Sequence, residues 1–330
     1  MKKIDKYLWV AFALIPFMLL FNGCRIVGPD GWGGNQHNIY QVSSIDTPGH
    51  AYAVDVYNGY AYVADGVGGL RLFDVTNPYY PKNYGVFDSD GIVYDVKYGG
   101  DDLIYLASGS AGVEVVDTFS LFGPRLAGSY MTYNAFGLDY AGKYLYVGDD
   151  QAGVRILDVS NPYMIYQMSS KLVSGMNVYN TKLYWPYLFA CSRYGLSILD
   201  ITNQSHPSEL YFQNIGYVYD VEVVNHISYV AYEDGLIIYD LDNISKPKEL
   251  GFCFLPAIAR SIAVRGDYAY IALGQSGLSI VDISDPTHPR EIGYYITANC
   301  EMNNIFLGGR YIYVANGAEG LLILEHLGGN

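Results

Sequence analysis

One phrase recurs seven times along the 330 residues: a glycine, four positions that are mostly apolar, and an acid. The glycines are Gly69, Gly112, Gly153, Gly195, Gly235, Gly277 and Gly320, at successive spacings of 43, 41, 42, 40, 42 and 43. Five residues after each stands Asp74, Asp117, Asp158, Asp200, Asp240, Asp282 or, in the last copy, Glu325. Between these phrases the chain alternates apolar and polar residues and shows no sustained 3.6-residue period, so each copy reads as strands alone. Strand-only repeats of this length predict an all-β, seven-bladed β-propeller with four-stranded blades of about 42 residues. The 37 glycines and 35 tyrosines fit many short strands joined by tight turns.

Each copy divides in the same way. In the first, "AVDV" (53–56) is the innermost strand, "YAYVAD" (60–65) the second, "GLRLFDV" (69–75) the third and "NYGVFD" (83–88) the outermost. The glycine admits the third strand from a tight turn. The acid ends that strand by accepting backbone N–H groups in an Asx-type turn. In several copies "TNP", "SNP" or "SDP" then closes the turn, proline fixing φ where no donor is needed. These seven acids are therefore expected to be structural, since equivalent groups spread around a ring do not converge on one substrate. The fourth copy is the least regular: "YNTKLYWPYLFAC" carries Pro186 and, by this reading, extra residues before its second strand. The seventh copy ends at "GLLILEHL" without an outer strand, and "NIYQVSSIDT" (38–47) is an outer strand without a blade. Pairing the two closes the ring and covers an exposed edge.

"GLSIVDIS" and its sister phrases resemble the LVIVD repeat of bacterial and archaeal cell-surface and lipoprotein propellers, from Asn38 to about Leu327. The resemblance implies a seven-bladed surface propeller and carries no set of catalytic residues.

The N-terminus reads as an address. A basic start precedes an apolar run from Leu8 to Phe21, shorter than the roughly 20 residues of a spanning helix and suited to a signal peptide. The run ends in "FNGC", which resembles the bacterial lipobox, with Gly23 before the cleavage point and Cys24 as the lipid-bearing residue. Phe21 departs from the commoner leucine. The expected organisation is a lipoprotein signal peptide over 1–23, the lipid-anchor cysteine and a flexible Gly/Asn-rich tether over 24–37, and the propeller over 38–330. Such a tether reaches ~20 Å, which keeps the body close to a membrane. The expected location is the cell envelope, with the outer membrane or cell surface favoured over the cytoplasmic membrane.

Without residues 1–23 the chain has 16 basic and 32 acidic side chains, a net charge of −16, and no basic patch; nucleic acid is not an expected partner. Cys191, Cys253 and Cys300 have neither disulfide nor zinc spacing and read as buried thiols. No H-E-x-x-H, G-x-S-x-G, P-loop or EF-hand-like pattern appears, so no catalytic residue, metal ligand or cofactor is assigned. His206 and His288 share one turn position, His37 falls in the tether, His226 in a hairpin and His326 near the end; His50 is the sixth histidine.

Propellers bind at the face built from the loops between second and third strands and those between blades. Here those loops supply Asp65, Asp90, Tyr94, Tyr133, Asn134, Phe136, Asp149, Asp150, Tyr194, Tyr217, Tyr219, Glu233, Asp234 and Glu319 as the candidate binding face. Tyrosine offers a broad apolar surface with one polar tip, useful against proteins or sugars. The expected function is a membrane-anchored, non-catalytic binding or scaffold module for an envelope or extracellular protein. The alternatives are a glycan-binding propeller, and a hydrolase or lyase acting on an envelope polymer or small metabolite at the central channel.

Overall fold

Alternating sequences buried on one face make sandwiches, but here the second and third strands of each blade are apolar on both faces, which demands cover from both sides. A computed structural model, which describes residues 38–119 and 123–327, supplies that cover by stacking the blades around a ring. The expected signal peptide, lipid-anchor cysteine Cys24 and tether lie outside the described residues. There are seven four-stranded antiparallel sheets, and in six of them the strands follow in chain order from the axis outwards. The second strand Tyr60–Ala64 has four buried positions after its first, and Tyr144–Gly148 and Tyr268–Ala272 repeat the pattern. The outer strand Lys82–Phe87 has no buried position.

The core is therefore a set of interfaces between blades rather than one central cluster. In one of them Leu278 and Ile280 of the sixth blade meet Ile312, Val314 and Leu324 of the seventh, with Ile39 completing the contact. Burying one such side chain contributes about 1.5–3 kcal/mol, and the same gain recurs at every interface around the ring.

The recurring glycine and acid do what their spacing suggests. Gly69 has φ +78°, and a Cβ there would lie 2.2 Å from the Phe87 carbonyl oxygen, so no other residue fits without a shift. Asp74 Oδ1 accepts the Thr76 N–H at 3.0 Å and its hydroxyl at 2.6 Å. Asp158 does the same with Ser160, Asp200 with Thr202 and Asp282 with Ser284.

The seventh sheet has the order expected for closure: the N-terminal strand Ile39–Ile45 lies against Leu321–His326, antiparallel, with Ile39 opposite His326. Tyr295 of the sixth blade donates its hydroxyl to Gln41 at 3.0 Å, and Ser43 donates to the Pro78 carbonyl of the first blade at 2.6 Å. The closing strand thus ties blades six, seven and one together.

The fourth blade corrects one expectation. Its inner strand Val178–Tyr184 joins Tyr187–Ser192 through the two-residue turn Trp185–Pro186, whose peptide bond is cis. The first blade's hairpin, Asn58–Gly59, has the same length, so nothing is inserted there. The irregularity is a register shift between Val178 and Asn180, a bulge of the kind also found between Val218 and Asp220 in the fifth blade.

Candidate functional site

The inner strand of every blade is a sheet edge facing the central channel, with backbone donors that need partners. The chain supplies them with one polar residue per inner strand: Asp55, Asp95, Asp139, Asn180, Asp220, Ser261 and Asn304. Asp55 accepts Val56 N–H of its own strand on one oxygen and Tyr98 N–H of the second blade on the other. Asp95 likewise takes Val96 and Leu138, and Asp139 takes Tyr140 and Leu183. Asn180 donates to Asp220, which accepts from Ile262 N–H and Ser261; Ser261 accepts from Ile305 N–H, and Asn304 accepts from Val54 N–H. The relay runs through all seven blades and returns to the first. Two oxygens per carboxylate are what allow one side chain to satisfy two edges.

Inside this relay lies a channel cavity of about 390 Å³, lined by Asp95, Lys97, Lys182, Asp220 and Glu222 among others. Lys182 donates to Glu222 at 2.7 Å. Burial works against the Lys97 ammonium, but the carboxylates of Asp95, Asp139, Asp55 and Asp220 outweigh it and hold its pKa above the usual lysine value. Burial pushes the Asp95 carboxyl up to about 6, the Lys97 charge and two backbone N–H groups only partly opposing it. Asp220 is raised for the same first cause. The channel interior is thus a paired, partly neutralised lining.

The mouth of the channel is different. Where each inner strand enters, one residue points to the axis: Tyr52, Tyr94, Phe136, Tyr179 and Tyr219 in blades one to five, then Arg260 and Asn303 in blades six and seven. Successive ring centroids are 5.2 Å apart for Tyr52 and Tyr94, 4.8 Å for Tyr94 and Phe136, and 5.5 Å for Phe136 and Tyr179. Tyr179 stacks on Tyr217 at 5.8 Å, and Tyr217 on Tyr219 at 5.6 Å. Burial raises the pKa of Tyr94, Tyr179 and Tyr219, so these hydroxyls stay protonated at neutral pH. The remaining two blades form a polar sector. Arg260 donates to Glu301 at 3.0 Å and to Asn303, and His50 lies 3.7 Å from Glu301 and 3.3 Å from the Asn303 amide. An aromatic arc of five blades facing a polar sector of two is an asymmetric seat, able to orient what it holds.

Among the residues expected at the binding face, Tyr94, Phe136, Tyr217 and Tyr219 come together in this collar. Asp65 and Asp149 do not: both are fully buried. Asp65 accepts from Thr47 and Gly49 N–H, and Asp149 from Tyr133 N–H, Asn134 N–H and Arg155, so they pin the loops of this end rather than facing outwards. Asp150 accepts from Asn177. Glu233 stands near Tyr219, whose pKa it helps raise after burial and Tyr217. Tyr133, Tyr194, Asp90, Asp234 and Glu319 are exposed on the rim further out, and Asn134 is half-buried beside them. The same rim exposes Val67, Met131, Leu172 and Met176.

Sequence reasoning missed Tyr52, Tyr179, Arg260, Asn303, His50 and Glu301. Their signal was present: the seven axis-facing positions are spaced by 42, 42, 43, 40, 41 and 43, a register as regular as that of the glycines. Cys191, Cys253 and Cys300 are buried free thiols, and burial raises the pKa of all three. Among the described residues no group of three or more His, Cys, Asp or Glu is arranged to hold a metal ion, and no helix is long and apolar enough to cross a membrane.

Three solved structures illustrate the fold. The chain is 14% identical to a chain in the crystal structure of the mitotic checkpoint complex, covering 87% of this protein and 94% of that chain with a TM-score of 0.71. The crystal structure of the WD40 β-propeller domain of Doa1 gives 11%, 89%, 97% and 0.67 for the same four quantities. The computationally designed Ika8 protein gives 8%, 88%, 100% and 0.63. At these identities the likeness is one of fold. No curated protein matches the sequence. The LVIVD repeat model, in contrast, matches residues 48–88, 135–170, 186–211, 215–254, 256–297 and 301–325, which is every blade but the second and more than half of the chain. In the unmatched blade Asp117 is followed by "TFSLFGP", where the first blade has "VTNPYYP" after Asp74. The chain is a member of the LVIVD repeat family.

Proposed function

We propose that this protein is a lipid-anchored module of the bacterial cell envelope that binds a protein partner at the collar end of its ring, without catalysing a reaction. A propeller of LVIVD repeats supports a binding or scaffold role at the coarse level. The observation that carries the finer reading is the collar itself: five aromatic side chains in consecutive blades, closed by Arg260 and Asn303, at one end of the channel. The exposed rim around it, with Met131, Leu172, Met176 and Tyr133, extends the apolar surface beyond what a small ligand needs and favours a protein. Against a hydrolase or lyase, the channel acids Asp55, Asp95, Asp139 and Asp220 are engaged by backbone N–H groups of two blades each. A general acid or base needs a free carboxyl beside a substrate atom. The anchor reading rests on "FNGC" and the apolar run before it.

A glycan is the second reading, favoured by one observation: Tyr179 and Tyr217 are nearly parallel, at 9°, and stand beside the Asn177–Asp150 pair. The test is a cross-linked pull-down of the lipidated protein from its own membranes, with a Tyr94→Ala, Tyr179→Ala, Tyr219→Ala variant as control. A retained protein should fall about tenfold or more in the variant, since each ring contributes about 0.5–1.5 kcal/mol. Equal retention by both would remove the collar as the seat. Retention of oligosaccharides on an array in place of any protein would establish the second reading.

A further inference from the structure

The end of the ring opposite the collar is as asymmetric as the collar. It is built from the turns between inner and second strands and from the loops between third and outer strands. In blades one, three and four these segments expose Tyr57, Tyr79, Tyr80, Tyr163, Met164 and Trp185, four of them by more than 60% in the case of Tyr80, Tyr163, Met164 and Trp185. In blades five to seven the corresponding exposed positions are Asn225 and His226, Asp267 and Asp285, and Arg310. Blade two, between blades one and three, adds Phe119 and the exposed acids Asp101 and Asp102, so large apolar side chains are concentrated on the half made by blades one to four, with polar ones prevailing on the other.

The place where the first 37 residues join the ring falls at this same end. Asn38 accepts the Leu327 N–H through its carbonyl, and Ile39 lies opposite His326, beside the Gly308–Tyr311 turn of the seventh blade. The chain then runs along the blade edge towards the collar end, where Ile45 lies opposite Leu321. The seventh blade is next to the first, whose Tyr57, Tyr79 and Tyr80 begin the aromatic half. Tyrosine and tryptophan at loop tips are the side chains that sit at the level of lipid headgroups, with an apolar ring inward and a polar atom at the water.

We infer that the aromatic half of this end is a membrane seat: Tyr57, Tyr79, Tyr80, Tyr163, Met164 and Trp185 rest in the headgroup layer of the bilayer that holds the anchor. The ring stands on that half and its collar points away from the membrane. The inference rests on the anchor reading for the choice of end. A bare tether of ~20 Å would leave the ring free to tumble, and the seat fixes its orientation. The acidic body is repelled by anionic lipid, so the contact is with headgroups that carry no net charge.

Trp185 is a built-in reporter. The tryptophans are Trp9, Trp32 and Trp185; Trp9 leaves with the signal peptide, and Trp32→Phe makes Trp185 the sole tryptophan of the lipidated protein. The mature lipidated protein carrying this change is reconstituted into phosphatidylcholine vesicles with brominated acyl chains, and flotation is measured beside fluorescence. The expected result is flotation with Trp185 emission falling about twofold relative to unbrominated vesicles. Tyr80→Ser with Tyr163→Ser and Met164→Ser should float equally and lose that quenching; all three side chains are exposed, and unchanged melting confirms the fold. A reporter moved to the collar rim (Trp185→Phe with Tyr133→Trp) should show none. Flotation without quenching of Trp185 overturns the seat and leaves the anchor standing. Failure to float overturns both, and quenching confined to the Tyr133→Trp reporter reverses the orientation.

Discussion

Two aspartates show how position, not residue type, sets the chemistry of this chain. Asp158 ends the third blade's third strand and accepts from Ser160 through both N–H and hydroxyl, with Lys143 at 3.0 Å. Burial opposes its charge, but these partners prevail and lower its pKa to about 2. Its stabilisation is present above the unfolded-state pKa and is lost as pH falls from about 4 through 2. Asp95 is the opposite case: burial raises it to about 6, so the folded state binds its proton more tightly than the unfolded one. That contribution is present at acid pH and is lost as pH rises from about 4 through 6. Asp158→Ala should therefore cost about 1–3 kcal/mol at pH 7, read by denaturant unfolding, and less at pH 2. Asp95→Asn should shrink the difference in Tm between pH 5 and pH 7; an unchanged difference would mean that Asp95 does not titrate in this window. The two roles differ in legibility. Asp158 stands in a seven-fold register with a turn behind it, so its structural part is visible in the sequence. Asp65 and Asp149 follow a strand and open the short loops "DGVG" and "DDQA", which look exposed. Their burial comes from backbone of the preceding inter-blade segments folding over them, a contact between residues 15 to 18 apart that no local pattern announces.

At the scale of the strand, the ring depends on edges being covered. The outer edge of the seventh blade is covered by Ile39–Ile45, and the channel edges by the relay from Asp55 round to Asn304. Closure was legible because the last repeat lacked a strand that the N-terminus possessed. The relay was not, although its members recur at spacings of 40 to 44, because an acid inside an apolar strand suggests a site rather than a clasp. Deleting residues 38–47 should leave the outer edge of Leu321–His326 unpaired, break the tie between blades six and one, and yield unfolded or aggregating protein. A truncated chain that stays monomeric and melts with the full-length protein would refute closure by that strand. The fourth blade's turn was misread because a Trp-Pro pair resembles an interruption in sequence, whereas a cis bond there spans the same two-residue gap as Asn58–Gly59.

Taken as a whole molecule, the ring has two ends and different surfaces on each. The collar and its rim face one way; the junction with the first 37 residues and the aromatic loops of blades one, three and four face the other. The seven-fold ring keeps its structural symmetry while one end departs from it: the relay uses every blade, and the arc from Tyr52 to Tyr219 uses five. The number of blades was legible in the glycine register, and the collar's composition was not, since in a chain with 35 tyrosines no single one stands out. The claim that ligand meets the collar is tested most directly by placing a photo-activatable benzoylphenylalanine at Tyr94 in the living cell and irradiating. The same group at Tyr84, exposed on the first blade's outer strand, serves as the control. A discrete adduct from Tyr94 and none from Tyr84 is the predicted result. No adduct at Tyr94, or the same adducts from both positions, would contradict the collar as the seat of binding.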